Sequence, residues 1–143
     1  MFVLSHQDGN IEYEFVRGGF DIDWRRRITI SIEAKALKAD AFPDTFMFCL
    51  EKYPLGRYVE RQKFMLEKRP QGKTPNVHVY TTFHAFEISG DIEIVAIDKN
   101  SIEVVLNVIS EDVNYYDERS KPNPFKGSVQ LSKVNRDQLW VPV

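Results

Sequence analysis

Three histidines, His6, His78 and His84, are the side chains in this sequence best suited to hold a metal ion. His78 and His84 fall on the same face of one predicted strand. A straight strand rises about 3.3 Å per residue, so it would hold them about 20 Å apart, too far for both to bind one ion. Either could still meet His6 or a carboxylate in the folded chain. We expect polar histidines on a strand face and predict no metal site.

The acidic stretch 112–118 is a second candidate, in this case for calcium. Calcium prefers oxygen ligands at regular spacing, with a glycine that permits a sharp turn. Asp112, Asn114, Asp117 and Glu118 supply oxygen atoms, but the stretch contains no glycine and its ligand series is incomplete. We expect a solvated acidic loop here and predict that the chain uses no cofactor.

Nucleophilic catalysis needs a reactive group with a base within reach. Cys49 lies in the apolar run 46–50 without a basic neighbour, so we expect its thiol in the core. The carboxylate pairs Glu12/Glu14 and Asp21/Asp23 each fall on the polar face of a strand, where acids mainly favour solubility. No catalytic or phosphate-binding motif occurs. We predict a protein that is not an enzyme, although residues distant in sequence can still converge on a site.

The composition is typical of one soluble domain. The chain has 143 residues, 43% of them hydrophobic and 28% charged. Its one cysteine excludes an intramolecular disulfide and zinc sites that need two or more cysteines. No apolar run approaches the roughly 18 residues of a membrane span, and the start lacks a signal-peptide pattern, so we predict a cytoplasmic protein. A net charge of −2 argues against dedicated nucleic-acid or membrane-surface binding.

Alternation of apolar and polar residues predicts strands through most of the chain. Even positions from Phe20 to Ala34, including Trp24, are apolar except for Arg26, which predicts one bent strand or two strands with a shared inward face. The odd positions would then face solvent. Arg17-Gly18-Gly19 predicts a tight hairpin connection before them.

Further strands are predicted along the rest of the chain. The best-defined hairpin joins 91–97 to 101–108 through Asp98-Lys99-Asn100. Other strands are predicted at 45–50, at 76–88 with an end at Ser89-Gly90, and at 127–134, whereas 58–69 fits a helix or a strand. We therefore predict a single all-β or β-rich domain over 1–143, an antiparallel sandwich or partly open barrel of about seven or eight strands with at most one short helix.

Charge is unevenly distributed along the sequence. The stretch 52–73 is mainly basic, with Tyr58 and Phe64 among the charges, whereas 8–23, 87–98 and 111–118 are mainly acidic. Opposed charged patches orient a protein partner and speed its association. Basic side chains can also simply solvate an exposed strand or helix. We predict that Arg57, Arg61 and Lys63 contact a partner.

The acidic loop near residue 115 is the second predicted contact region. Tyrosine and arginine are enriched among residues that dominate protein interfaces, although tyrosines also pack at the ends of sandwiches. The predicted partner-binding residues of this region are Glu111, Asp112, Tyr115, Tyr116, Asp117 and Glu118.

Two stretches near the end of the chain complete the sequence pattern. They read PNPFKGSVQL over 122–131 and DQLWVP over 137–142. Together with the small, acidic, β-rich character of the chain, these stretches resemble the tails of bacterial toxin-immunity proteins. The resemblance implies a protein that binds one cognate toxin and blocks its active site without performing chemistry. If the toxin is a nuclease, the acids of 111–118 would mimic phosphate in its basic cleft.

Two other functions remain as alternatives. A ligand-binding barrel would hold a small apolar molecule among Phe20, Trp24, Phe83 and Phe86, in a cavity of a few hundred Å³. A single-stranded nucleic-acid-binding domain would use the basic segment 52–73 and its aromatic residues, with affinity that falls steeply as salt increases.

Overall fold

The computed structural model describes residues 2–6, 9–40, 44–55, 61–66, 77–81, 84–112 and 123–140. It describes the side chains in these ranges except at 6, 61–66, 80–81, 84–89, 110–112 and 123–124. The described residues form nine β-strands and one 3-10 turn. In chain order these are β1 (Phe2–His6), β2 (Gly9–Ile22), β3 (Arg27–Ala36), β4 (Thr45–Pro54), β5 (Arg61–Leu66), β6 (Val77–Thr81), β7 (His84–Ala96), β8 (Ser101–Asp112), β9 (Asn123–Ser132) and the 3-10 turn Arg136–Gln138.

The strands form one curled antiparallel sheet. Eight of them follow one another in the order β7-β6-β4-β3-β2-β1-β9-β8, and β8 pairs with β7 again. β5 lies beside β7. β6 connects β4 to β7, but it pairs with β7 only at Tyr80↔Ala85 and Thr81↔His84. The sheet is therefore closed between β4 and β7 at one end only, and it forms a half-barrel. The predicted all-β, partly open barrel is confirmed, and none of the described residues forms a helix that could span a membrane.

The core occupies the concave side of this sheet. Ile30 and Ile32 of β3 pair with Leu50 and Phe48 of β4, and all of these side chains are completely buried. Their alternation with polar neighbours is the period-two pattern of the sequence. The two-strand interpretation of 20–34 is therefore correct, since β2 ends and β3 begins within it.

The convex side of β3 is covered as well, which differs from the prediction that the odd positions face solvent. Thr29 and Ser31 are buried, and the backbone N–H of Trp140 donates a hydrogen bond to Ser31 Oγ at 3.0 Å. The segment 133–140 passes over this face after β9, beginning with a bridge between Lys133 and Phe20. The C-terminal segment thus forms a small second layer over the middle of the sheet.

The two glycines predicted to form a hairpin connection lie inside β2 instead. A Cβ atom on Gly18 would stand 2.8 Å from the Ser31 carbonyl oxygen, and one on Gly19 would stand 2.7 Å from the Ser132 carbonyl oxygen. A register shift between Phe15 and Arg17 marks a bulge just before them. The glycines therefore allow close packing of backbones rather than a turn.

Three other element predictions can be compared with the structure. The hairpin through residues 98–100 is confirmed, with Ala96 opposite Ile102. The predicted strand 76–88 is wrong in extent, because it divides into β6 and β7, and β7 continues through Ser89-Gly90 to Ala96. Within 58–69, the described residues 61–66 form strand β5, so the strand interpretation is correct for them.

Candidate protein interface at one end of the barrel

The turn between β2 and β3 is defined here as the arginine turn, residues 23–27. Its backbone is closed by two hydrogen bonds, from Asp23 N to the Arg27 carbonyl at 3.0 Å and from Arg26 N to the Asp23 carbonyl at 3.1 Å. Leu55 N, just beyond β4, donates to the Arg26 carbonyl at 2.9 Å. The turn is therefore fixed both internally and against the neighbouring strand.

The Asp23 carboxylate organises the same turn. It accepts hydrogen bonds from Arg25 N at 2.9 Å, from Arg27 N at 3.0 Å and from Arg27 Nε at 2.8 Å. Desolvation alone would raise the pKa of Asp23, but the hydrogen bonds and charge of Arg27, with the bond from Arg25, outweigh it and leave the pKa below its usual value. Asp23 is thus a structural acid, ionised to hold the turn.

Replacing Asp23 with asparagine should lower stability in a pH-dependent way. Because the pKa of Asp23 is lower in the folded than in the unfolded chain, its stabilisation is present above the unfolded value of about 3.9 and is lost as the pH falls through the folded value. We expect Asp23→Asn to melt below the wild type at pH 7, with the difference shrinking below about pH 4. Thermal melts across this range test it, and a pH-independent difference would contradict it.

Trp24 projects from the arginine turn into solvent. Trp24 is 84% exposed, more than any other large hydrophobic residue in the described part of the chain. The guanidinium carbon of Arg25 lies 4.7 Å from the centre of the indole ring, within the range of a cation–π contact. The prediction that Trp24 faces inward with Phe20 is therefore wrong. Phe20 is buried in the core, and the chain turns before the apolar alternation reaches Trp24.

Other turns lie at the same end of the barrel. Lys133 bridges to Phe20 near the end of β2, and its N–H donates to the Asn100 carbonyl of the β7–β8 turn at 2.7 Å. We call this the basic end, because its exposed cations are Arg25, Arg26, Lys52, Lys99 and Lys133. Arg26 and Lys52 have positive φ angles of 62° and 48°, in the left-handed region that glycine occupies most cheaply.

The residues predicted to bind a partner are placed only in part. Arg57, Tyr115, Tyr116, Asp117 and Glu118 lie outside the described residues, whereas Arg61, Lys63, Glu111 and Asp112 have described backbones only. Arg61 pairs with Val95 and Asp112 with Phe86, so these two positions are separated by up to about 30 Å along β7. Among the described candidates, Arg61 and Asp112 therefore lie at different ends of β7, and Arg61 lies toward the basic end.

Two of the histidines considered as metal ligands, His78 and His84, lie on the neighbouring strands β6 and β7. His78 Nε2 lies 3.9 Å from a Glu51 carboxylate oxygen. The chain turns back between His78 and His84, so the straight strand assumed for their separation does not exist. In the described part of the chain, no group of three or more histidine, cysteine or acidic side chains could hold a metal ion.

Cys49 is buried as predicted, on the side of the sheet opposite the main core. It pairs with Ser31 and is completely inaccessible. Burial, assisted by the negative charge of Glu51, raises the pKa of the Cys49 thiol to about 12. The thiol is therefore protonated at neutral pH and is a poor nucleophile.

We expect this thiol to be unreactive in the native protein. Relative to an ordinary cysteine, the raised pKa lowers the thiolate fraction at pH 8 by about a thousandfold, and burial blocks access in addition. A chromogenic disulfide reagent should therefore modify Cys49 only after denaturant is added. Rapid stoichiometric modification of the folded chain would show that the thiol is accessible.

Sequence patterns alone did not identify the arginine turn. The acid Asp23 followed by three arginines is the signal that could have indicated it, since a short acceptor side chain before a charged run favours a turn. No family model matches the chain, and no curated protein or solved structure matches it either.

Proposed function

We propose that this chain is a non-enzymatic binding protein that recognises another protein through the arginine turn, and that it acts as an immunity protein against a bacterial toxin. The observation that carries the proposal is Trp24, a large aromatic side chain held 84% exposed on a fixed turn. Tryptophan and arginine are the residue types that most often dominate binding energy at protein interfaces.

The exposure of Trp24 has a physical cost that a partner would remove. Burying an aromatic side chain of this size removes 150–250 Å² from water, at roughly 25 cal/mol per Å². The hydrogen bonds of Asp23 fix the backbone that carries the indole. Little conformational entropy of this backbone would therefore be lost on binding, which favours affinity.

Arg26 provides independent support. Its φ of 62° is a conformation in which glycine is the least strained residue, yet the position carries an exposed arginine. Backbone strain of this kind is often retained where a side chain serves function. An arginine at this position is readily understood if its guanidinium contacts a partner.

The shifted pKa values also agree with a binding role. Tyr13 and Cys49 have raised pKa values because they are buried. Asp23 and Asp98 have lowered values because their carboxylates accept hydrogen bonds within turns. Each of these shifts therefore has a structural cause and requires no catalytic role.

The proposal can be tested by comparing two variants as baits. Wild-type chain, Trp24→Ala and the control Val16→Ala, which shortens another exposed apolar side chain, would be used to capture partners from the source cell. We expect a protein that wild type and Val16→Ala retain, with affinity for Trp24→Ala reduced about 30-fold or more. Equal capture by all three baits would reject the arginine turn as the interface.

The immunity role needs a separate measurement. The captured protein, or the product of a neighbouring gene, would be expressed with and without this chain. We expect growth arrest without the chain, rescue by wild type and weaker rescue by Trp24→Ala. A captured protein that is harmless alone would reject toxin neutralisation while leaving the binding function in place.

A further inference from the structure

The two ends of the barrel carry different charge. At the basic end, Arg25 and Arg26 extend beside Trp24, and Lys99 and Lys133 lie on the adjoining chain segments. Of the acids at this end, Asp23 is paired with Arg27, whereas Asp98 accepts a hydrogen bond from Asn100 N at 2.7 Å and keeps its negative charge beside Lys99. The five exposed cations of the basic end outnumber these two acids.

The other end of the barrel carries several acidic residues. The connection between β3 and β4 carries exposed Asp40 and Asp44, against Lys38. β8 ends there with the backbone positions Glu111 and Asp112. The whole chain has a net charge of −2, so the cations of the basic end are a local feature that the average conceals.

We infer that the basic end docks end-on against an acidic protein surface, with the indole of Trp24 entering an apolar pocket and Arg25 and Arg26 pairing with carboxylates around it. This inference rests on the proposed function and specifies the partner's chemistry. Complementary charges would orient the chain before contact and accelerate association, while the buried indole would slow dissociation.

The charge distribution favours a protein over a nucleic acid as this partner. A nucleic acid presents a continuous line of phosphates, and binding it requires a basic surface of comparable extent. Here the cations lie at the same end as one exposed aromatic residue, which only Arg25 is seen to contact, while acidic residues at the other end repel a long polyanion. A compact acidic patch on a folded protein fits this arrangement better.

The first experiment measures association of the captured partner with four chains at about 50 mM and about 500 mM salt. The chains are wild type, Arg26→Gly, the double variant Arg25→Glu/Arg26→Glu, and the control Lys35→Glu/Lys126→Glu, which makes the same charge change on exposed strand positions away from the basic end. Arg26→Gly should fold at least as stably as wild type because glycine suits its backbone.

We expect the double reversal to slow association at low salt about tenfold or more, and the control to slow it less than about threefold. Arg26→Gly should bind more weakly although its melting temperature is unchanged or higher. Added salt should slow the association of the wild-type chain far more than that of the Arg25→Glu/Arg26→Glu variant. If capture depends on Trp24 but association is insensitive to salt and to both arginines, the acidic-surface inference fails while the proposed function stands.

The second experiment distinguishes the class of ligand. In a Trp140→Phe background, fluorescence from Trp24 would be titrated with an acidic peptide that contains phenylalanine and with a single-stranded oligonucleotide of equal charge. We expect the peptide to shield Trp24 from a soluble quencher more effectively than the oligonucleotide does. Tighter binding of the oligonucleotide, or shielding by neither probe, would overturn the inference.

Discussion

Replacing Gly90 with alanine should destabilise the chain by about 3 kcal/mol or more. Gly90 has a φ of +107°, and a Cβ atom there would stand 2.2 Å from the Asn107 carbonyl oxygen. The residue lies in β7 opposite Val108 of β8, and β8 also pairs with β9, so the backbone at Asn107 cannot move away without disturbing a third strand. Urea denaturation monitored by circular dichroism would measure the loss.

Gly9 supplies the matched control for this experiment. Its φ of +132° is also unfavourable for alanine, but apart from its chain neighbours no residue lies within 4 Å of the Cβ that alanine would add. We expect Gly9→Ala to cost only about 1–2 kcal/mol, the strain of the backbone alone. If both substitutions cost the same, close packing around Gly90 contributes nothing.

Truncating Phe48 to alanine should cost about 3–5 kcal/mol in the free energy of unfolding. Phe48 is completely buried, between Ile32 of β3 and Val79 of β6. Removing its ring loses apolar burial and leaves a cavity that the paired strands cannot fill by collapse. Chemical denaturation at neutral pH gives the difference directly.

Trp24→Ala is the informative comparison, because it removes a still larger aromatic side chain from an exposed position. We expect a change within about 0.5 kcal/mol, as for most surface substitutions. A large loss of stability there would mean that Trp24 is part of the fold, and binding defects of Trp24→Ala could then no longer be assigned to contact with a partner.

Much of the fold follows from the alternation of apolar and polar residues along the sequence. The alternation at Ile28, Ile30 and Ile32 identifies a half-buried strand, and Asp98-Lys99-Asn100 identifies the turn of the β7–β8 hairpin. Both signals are local, since each depends on residues that are close in sequence. Strand order, in contrast, depends on pairings such as β1 with β9, which local alternation does not specify.

The failures have physical causes in long-range contacts. Gly18 and Gly19 have the composition of a turn, but their function is to admit Ser31 and the C-terminal segment, which lie far away in sequence. Ser31 alternates as a solvent-facing residue, yet the segment 133–140 buries it. Trp24 continues the alternation in phase, but the chain reverses one residue earlier, at Asp23.

The candidate interface was the least predictable part for a related reason. Hydrophobicity alone assigns a tryptophan to the interior, whereas the hydrogen bonds that fix the arginine turn hold Trp24 outside. The uneven charge of the sequence did indicate separate basic and acidic patches, with the basic one at 52–73. The topology that gathers Arg25, Lys99 and Lys133 at one end was not readable from it.

The path of the final residues has a practical consequence for anyone who labels or shortens this protein. Because 133–140 rests on the outer surface of β3, with Trp140 hydrogen-bonded to Ser31, a label or truncation within this segment would disturb the cover of that strand. Deleting this segment would uncover Ser31, the residue that pairs with Cys49 in the neighbouring strand. We expect the reactivity of this single thiol to report whether the C-terminal segment is seated.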